Sequence, residues 1–409
     1  MEHHISPNLS AYLKHEVLDL KGKGLFRVPD AVTELTEIEK LVLDRNNLTE
    51  LPASISRLKN LIVLKLDGNK LTKLPAEIGD LRELRQLWVS ANQLLGLPTS
   101  IQRLTKLERL YLDGNKLTEL PAEIGDLREL RELSVRDNNL IDLPTSIHRL
   151  TKLEELDLVG NKLTGLPAEI GDLRELRVLG VNNNQLVGLP TSIHRLTKLA
   201  VLYLDGNKLT ELPAEICDLK GLRQLSVSDN HLVDLPTSIH RLTKLEELDL
   251  LGNKLTELPA EIGDVRELRE LWVGDNQLVG LPTSIQRLTK LEFLYLDGNK
   301  LTELPAEICD LRELRHLSVS DNHLVNLPTS IHRLTKLKKL YLVGNKLTEL
   351  PAEIGDLREL RQLGVSQNPL TIDAVRCALK LRKKGILVGG VAGKESGYFS
   401  YLEVRKKPK

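Results

Sequence analysis

Proline recurs in this chain at a fixed step. Fifteen of the 18 prolines, from Pro29 to Pro351, stand 23 residues apart, and 15 asparagines keep the same step from Asn46 to Asn368. A period of this length calls for a solenoid, because one repeat cannot bury its apolar face alone and must stack on its neighbours. The unit reads L-x-L-x-x-N-x-L-x-x-L-P-x-x-I-x-x-L-x-x-L-x-x, as in Leu64 to Gln86. Leu64 and Leu66 alternate with period two, which predicts a short strand with one face inward. The asparagine that follows is polar among apolar neighbours. Its amide can both donate and accept, which predicts a buried ladder satisfying the backbone of adjacent turns. After the proline, Ile78, Leu81 and Leu84 recur every three residues, a spacing that suits 3₁₀-like turns better than a regular α-helix.

This unit resembles that of the leucine-rich repeat family over roughly Val17 to Leu370. Its L-P-x-x-I-x-x-L segment is similar to the 23-residue intracellular class that includes the Ras-suppressor and Scribble-type proteins. The resemblance implies an α/β solenoid: a horseshoe with a parallel β-sheet on its concave face and 3₁₀ or short helical pieces on its convex face. Residues 29–370 are then the solenoid of about 15 regular repeats, and both ends need caps. Residues 1–28 read as an N-terminal cap, with a helix opened by Ser6-Pro7 and running to about His15. A degenerate repeat follows, with Lys23 where the asparagine should be. Residues 371–409 read as a capping helix from Thr371 or Asp373 to about Lys384, stopped by Gly385, and a basic tail. Ile372, Val375 and Leu379 are expected to cover the last repeat. Residues 380–409 hold nine Lys/Arg against two Glu. A solvated terminus is the plain reading of that run, and contact with acidic lipid or nucleic acid the functional one.

A second period overlies the first. Convex segments alternate between PAEIGDLREL and PTSIxRLTKL, so Arg85, Glu108, Arg131 and Glu154 occupy one position in four successive repeats. This predicts a ladder of exposed ion pairs, each worth about 0.5 kcal/mol; a charged docking strip is the alternative.

The residue between the two strand leucines should point outward on the concave face. Six aromatics occupy the 15 such positions: Trp88, Tyr111, Tyr203, Trp272, Tyr295 and Tyr341, although aromatics are 3% of the chain. Phe293 stands two residues before Tyr295 and shares its face. Tyr and Trp desolvate large areas at small entropic cost, so these positions are the expected contact surface for a partner protein. The patch of Trp272, Phe293, Tyr295 and Tyr341, with Asp297 and His316 beside it, is the leading candidate. Trp88 and Tyr111, with Asp113 and Arg136, form a second, and two patches suit bidentate grip of one elongated partner. Duplication is a competing origin, since the pattern repeats every 92 residues and Cys217 and Cys309 share that offset. Strands also favour aromatics.

Composition excludes other classes. With 57 basic and 57 acidic side chains the net charge is zero, which argues against a nucleic-acid binder. No apolar run approaches the length of a membrane span. The N-terminal stretch lacks a secretory core, so export is not expected, and three cysteines cannot build a disulfide framework; a reducing cytoplasm is the expected setting. No serine or cysteine has a base and an orienting acid. His148, His194, His240 and His332 trade places with Gln102 and Gln286, as polar surface residues do. His231, His316 and His323 have no metal-ligand spacing, and Val388 to Lys394 lacks the spacing of a phosphate loop. No metal and no cofactor are expected. The reading is a non-enzymatic, monomeric scaffold that binds a protein on its concave face, in intracellular signalling by the resemblance. Innate-immune-type recognition of a foreign protein or glycan is the alternative.

Overall fold

A computed structural model describes residues 12–389 of the chain. The chain divides into two compact units, Met1–Asn230 and His231–Lys409, built from the same repeat.

In the first unit Leu13–Lys14 runs antiparallel to Val17–Asp19, with Leu13 opposite Leu18. This corrects the expected cap helix. Its start at Ser6-Pro7 lies outside the described residues, and its last residues pair as a strand instead, with His15 left-handed at φ 54° to turn the hairpin. From Val17–Asp19 onward ten three-residue strands run parallel in unbroken register, through Lys40–Val42 and Gln86–Trp88 to Val201–Tyr203 and Gln224–Ser226. Every residue pairs with the one 23 positions later, as Leu87 does with Leu110. The period of the sequence is therefore the register of the sheet.

Between strands the chain returns through five-residue 3₁₀ turns such as Ala76–Asp80. Pro75, at φ −69° and ψ 153°, stands just before that turn, and its carbonyl accepts the Ile78 N–H at 3.0 Å. The ring fixes φ and brings no N–H that would need a partner there. The Leu81 N–H then closes on the Ile78 carbonyl at 3.2 Å, and spacing by three turns Ile78, Leu81 and Leu84 all inward, fully buried. After Pro29 alone, the segment is a short α-helix, Asp30–Thr33.

The asparagine ladder is present as expected. Asn69 donates through Nδ2 to the carbonyls of Leu43 (3.0 Å) and Leu66 (2.9 Å), and its Oδ1 accepts the Leu48 N–H at 3.0 Å. One buried amide thus ties two successive repeats at three points of backbone. Just before each asparagine the chain passes through a left-handed residue, and here the repeats alternate. Gly68, Gly114, Gly160 and Gly206 hold φ of 62° to 71°, whereas Arg45, Ala91, Asp137, Asn183 and Asp229 hold 51° to 55° at the equivalent place.

The second unit repeats the plan with seven parallel strands, Glu247–Asp249, Glu270–Trp272, Phe293–Tyr295, His316–Ser318, Lys339–Tyr341, Gln362–Gly364 and Leu387–Gly389. The helix Ile372–Lys383 stands between the last two, its N-terminus capped by Thr371 Oγ1, which accepts the Ala374 N–H at 3.4 Å. The helix buries Ala374, Ala378 and Leu381. Ile372 and Leu379, expected to cover the last repeat, face solvent, and Val375 lies at the margin. Small alanines let the helix approach closely where longer side chains would hold it off. The tail beyond residue 389 lies outside the described residues.

Candidate protein-binding surface

The face of each sheet turned away from the leucine core carries three residues per repeat: the first and third of the strand and the residue two further on. In the second unit this face gathers Trp272, Phe293, Tyr295, His316 and Tyr341. Trp272 and Tyr295 stand opposite one another on neighbouring strands, and their rings stack at 3.7 Å between centroids and 14° between planes. His316 follows, with its ring 5.2 Å from Tyr295, 5.4 Å from Tyr341 and 6.1 Å from Phe293. Strands about 4.8 Å apart place side chains of this size in contact.

Contact has a consequence that overturns one expectation. Tyr295 does not stand in solvent: it is 3% exposed, sandwiched between Trp272 and the ring of His316. Its hydroxyl lies 3.1 Å from His316 Nδ1. All four tyrosines of the regular repeats behave alike. Tyr111 donates to Glu132, Tyr203 to Gln224 at 3.0 Å and Tyr341 to Gln362 at 2.5 Å, so each hydroxyl reaches the residue 21 positions on, at the start of the next strand. The tyrosines therefore lie across the sheet and brace it; Tyr111, Tyr203 and Tyr341 stay half-buried, whereas Tyr295 is covered.

The aspartates behave likewise. Asp297 Oδ1 accepts from Ser318 Oγ and from the Ser320 N–H, both at 2.6 Å. Asp113 accepts from Ser134 Oγ at 2.5 Å and the Arg136 N–H at 2.8 Å. Both carboxylates, read from the sequence as partner contacts, are engaged in joining one repeat to the next. Burial raises Asp297 to about 6, against the pull of those serine hydrogen bonds. Burial also pushes His316, 5% exposed, down to about 4, with Lys339 adding to the shift. The imidazole is therefore neutral at pH 7, and its Nε2 is buried with no partner.

The first unit carries the second cluster. Trp88 and Tyr111 meet at 4.0 Å with their planes tilted by 31°, and Lys65 Nζ sits 4.1 Å over the Trp88 ring. Arg109 Nε binds Glu132 Oε1 at 2.9 Å, and Arg136 lies 3.6 Å from Asp157. Beside these Glu155 is exposed, and its carboxyl is raised by partial burial and then by Glu132, Glu154 and Asp157. Asp67 is held up at about 6, chiefly by burial. Tyr203 lies on the same face, opposite Gly180 and Ser226. Lys65 stands at one of the 15 outward positions read from the sequence, whereas Arg109, Glu132 and Glu155 belong to this surface and were not singled out. The available signal was the strand's own period: residues i and i+2 share a face, so the residue before the first leucine faces the same side as the aromatic position.

The turn side of each unit holds the expected ion pairs. Arg85–Glu108 and Arg131–Glu154 close at 2.6 and 2.5 Å, and Arg177 reaches Glu154 at 3.4 Å. The exposed histidines bond their own turns, as His148 Nδ1 does with the Thr145 carbonyl at 2.7 Å. No group of three His, Cys, Asp or Glu among the described residues is arranged to hold a metal ion.

Parallel strands in a 23-residue register, an asparagine ladder and 3₁₀ returns define a solenoid that displays an open sheet face. The leucine-rich repeat region matches residues 60–136 and 282–383, and the leucine rich repeat matches four overlapping stretches from 128 to 301. This chain belongs to the leucine-rich repeat family. It is similar to a leucine-rich repeat protein of Leptospira interrogans at 40% identity over 93% of this chain and 98% of that one, with a TM-score of 0.87. It is similar to the plant peptide hormone receptor RGFR1, solved in complex with RGF2, at 32% identity over 84% of this chain and 61% of that one, TM-score 0.71. An internalin of Listeria monocytogenes shares the fold at 24% identity, covering 81% and 88% of the two chains, TM-score 0.63. No curated protein matches this chain.

Proposed function

We propose that this chain is a non-enzymatic scaffold that binds a partner protein on the open face of its sheet, and that it serves intracellular signalling in the cytoplasm. The observation that carries the reading is the continuous ring cluster Trp272, Phe293, Tyr295, His316 and Tyr341 on strands locked by the leucine core. Rings already fixed by stacking and by hydroxyl bonds lose little freedom when a partner covers them, which is what favours hot spots at such anchors. The plant peptide hormone receptor RGFR1, to which this chain is similar, was solved in complex with RGF2, which supports the reading of a binding surface. Cys217, Cys309 and Cys377 form no disulfide, in keeping with a reducing compartment.

The test is affinity capture from a native extract with wild type and a Trp272→Ala/Phe293→Ala variant. Both rings are half-buried and neither supports the leucine core, so the variant should fold. At least one protein retained by wild type should be lost from the variant; identical capture by both would refute the assignment. Fractionation of the native cell should recover the chain with cytosolic proteins once membranes are washed at about 0.5 M salt.

A further inference from the structure

The helix Ile372–Lys383 uses one face to close the second unit and leaves the other uncovered. Ala374, Ala378 and Leu381 point inward. On the opposite side, at steps of three and four residues, stand Ile372, Arg376, Leu379, Lys380 and Lys383, all exposed. Ile372 is 73% exposed and Leu379 40%. These aliphatic side chains lie among cations. Residues 372–389 contain Arg376, Lys380, Arg382, Lys383 and Lys384 against the single Asp373, a net charge of +4 from five cations and one anion. Arg376 pairs with Asp373 at 3.0 Å and Lys384 reaches the Gly355 carbonyl at 3.3 Å, whereas Lys380, Arg382 and Lys383 have no partner among the described residues. Residues 390–409 add five more Lys/Arg against two Glu to the same end of the sequence, while the chain as a whole is neutral.

We infer that the outer face of this helix docks on an anionic lipid bilayer, lying in the interface rather than crossing it. Exposed Ile and Leu on a stable capping helix have no role in the solenoid, and a bilayer surface gives them apolar contact. Lys and Arg stems run along that boundary while their charged ends stay at the headgroups. Each cation near an anionic surface adds about 1 kcal/mol, and three or four act together here. A nucleic acid would use the cations but gain nothing from Ile372 and Leu379, and among the described residues this face has no aromatic ring for base stacking. No helix among the described residues is long and apolar enough to span a membrane, so the contact is peripheral.

The probe is unilamellar vesicles of phosphatidylcholine with about 30% phosphatidylserine, compared by co-sedimentation with phosphatidylcholine alone. The full chain should bind the anionic vesicles selectively and be released as salt rises from about 0.05 to 0.5 M. Lys380→Glu/Lys383→Glu should weaken binding at least about tenfold. Ile372→Ser/Leu379→Ser should weaken it several-fold while keeping the salt dependence. The control Arg82→Glu/Arg128→Glu, the same charge change on exposed turns of the first unit, should bind as wild type does. Thermal melts by circular dichroism confirm that each variant is folded. Equal binding to both vesicle types, an equal loss in the control, or capture of a duplex oligonucleotide in place of vesicles would overturn the inference. Trp272→Ala/Phe293→Ala should leave vesicle binding unchanged, so this result stands or falls apart from the protein-partner reading.

Discussion

At Ala91 and Gly114 the same backbone conformation is held by two different residues. Ala91 sits at φ 52° and Gly114 at φ 62°. A left-handed conformation costs a residue with a Cβ roughly 1–2 kcal/mol, part of which glycine returns through its greater freedom when unfolded. A Cβ on Gly114 would meet only ordinary contacts, the nearest being Ala91 Cα at 3.7 Å, so backbone strain is the whole effect. Ala91→Gly should therefore stabilise the chain by about 0.5–1 kcal/mol and Gly114→Ala destabilise it by about 1 kcal/mol, read from urea midpoints at constant slope.

His316 gives a second test with a defined sign. Its native pKa of about 4 lies below the ordinary 6.5, so the folded state holds fewer protons between those values and loses stability as pH falls through them. Asp297 works in the opposite direction. Raised from 3.8 to about 6, it stabilises the fold in its protonated form, an advantage present at low pH and lost as pH rises through 6. Removing the histidine with His316→Gln isolates its share. The stability of wild type relative to the variant should fall by about 2–3 kcal/mol between pH 7 and pH 4, measured by urea unfolding across that range. The ring cluster itself was legible from one-in-two alternation along the strands; that Tyr295 would be covered was not. That depends on what stands 23 residues to either side, Trp272 and Ser318, and 21 residues on, His316.

At the scale of the repeat element, the turn built on A-E-I-G-D packs against the following T-S-I turn. A Cβ on Gly125 would lie 2.3 Å from the Ser146 carbonyl oxygen, which real structures do not tolerate without a shift. The Ser146 hydroxyl makes use of that closeness by donating to the Ala122 carbonyl at 2.7 Å. In A-E-I-C-D, Cys309 takes the glycine's place, and the facing Ser330 has no such bond to the Ala306 carbonyl. The second unit thus contains its own natural substitution at this contact. Gly125→Ala should cost about 1–3 kcal/mol through overpacking, and Cys309→Gly should be neutral or stabilising, both read as shifts in melting temperature. The sequence shows only that Cys217 and Cys309 share the 92-residue offset; the reason for glycine at this place is a backbone neighbour one repeat away.

For the molecule, stability is a sum over repeats and the contacts between neighbours. Asn161 joins two of them: its Nδ2 donates to the carbonyls of Val135 at 2.8 Å in the preceding repeat and Leu158 at 3.0 Å in its own, and its Oδ1 accepts the Leu140 N–H of the preceding repeat at 3.0 Å. Asn161→Ala leaves these buried groups unpaired, at a cost of about 3 kcal/mol or more. Because repeats touch only their neighbours, the variant's unfolding should broaden or split into two steps while wild type unfolds in one. Removing a turn-side ion pair such as Arg131–Glu154, half exposed, should cost under about 1 kcal/mol and leave the transition sharp.

The periodic residues alone determined the strands, the 3₁₀ returns, the asparagine ladder and the ion-pair rungs, because each arises from a spacing that every neighbouring repeat obeys. Tertiary structure decided what depends on particular neighbours: tyrosines laid across the next strand, aspartates spent on serines, a capping helix turned onto alanines with Ile372 and Leu379 outward, and a hairpin where a helix was expected. A period specifies contacts between equivalent positions; contacts between unlike residues two places out of step, and packing at the ends where the period stops, are settled only when the chain is assembled.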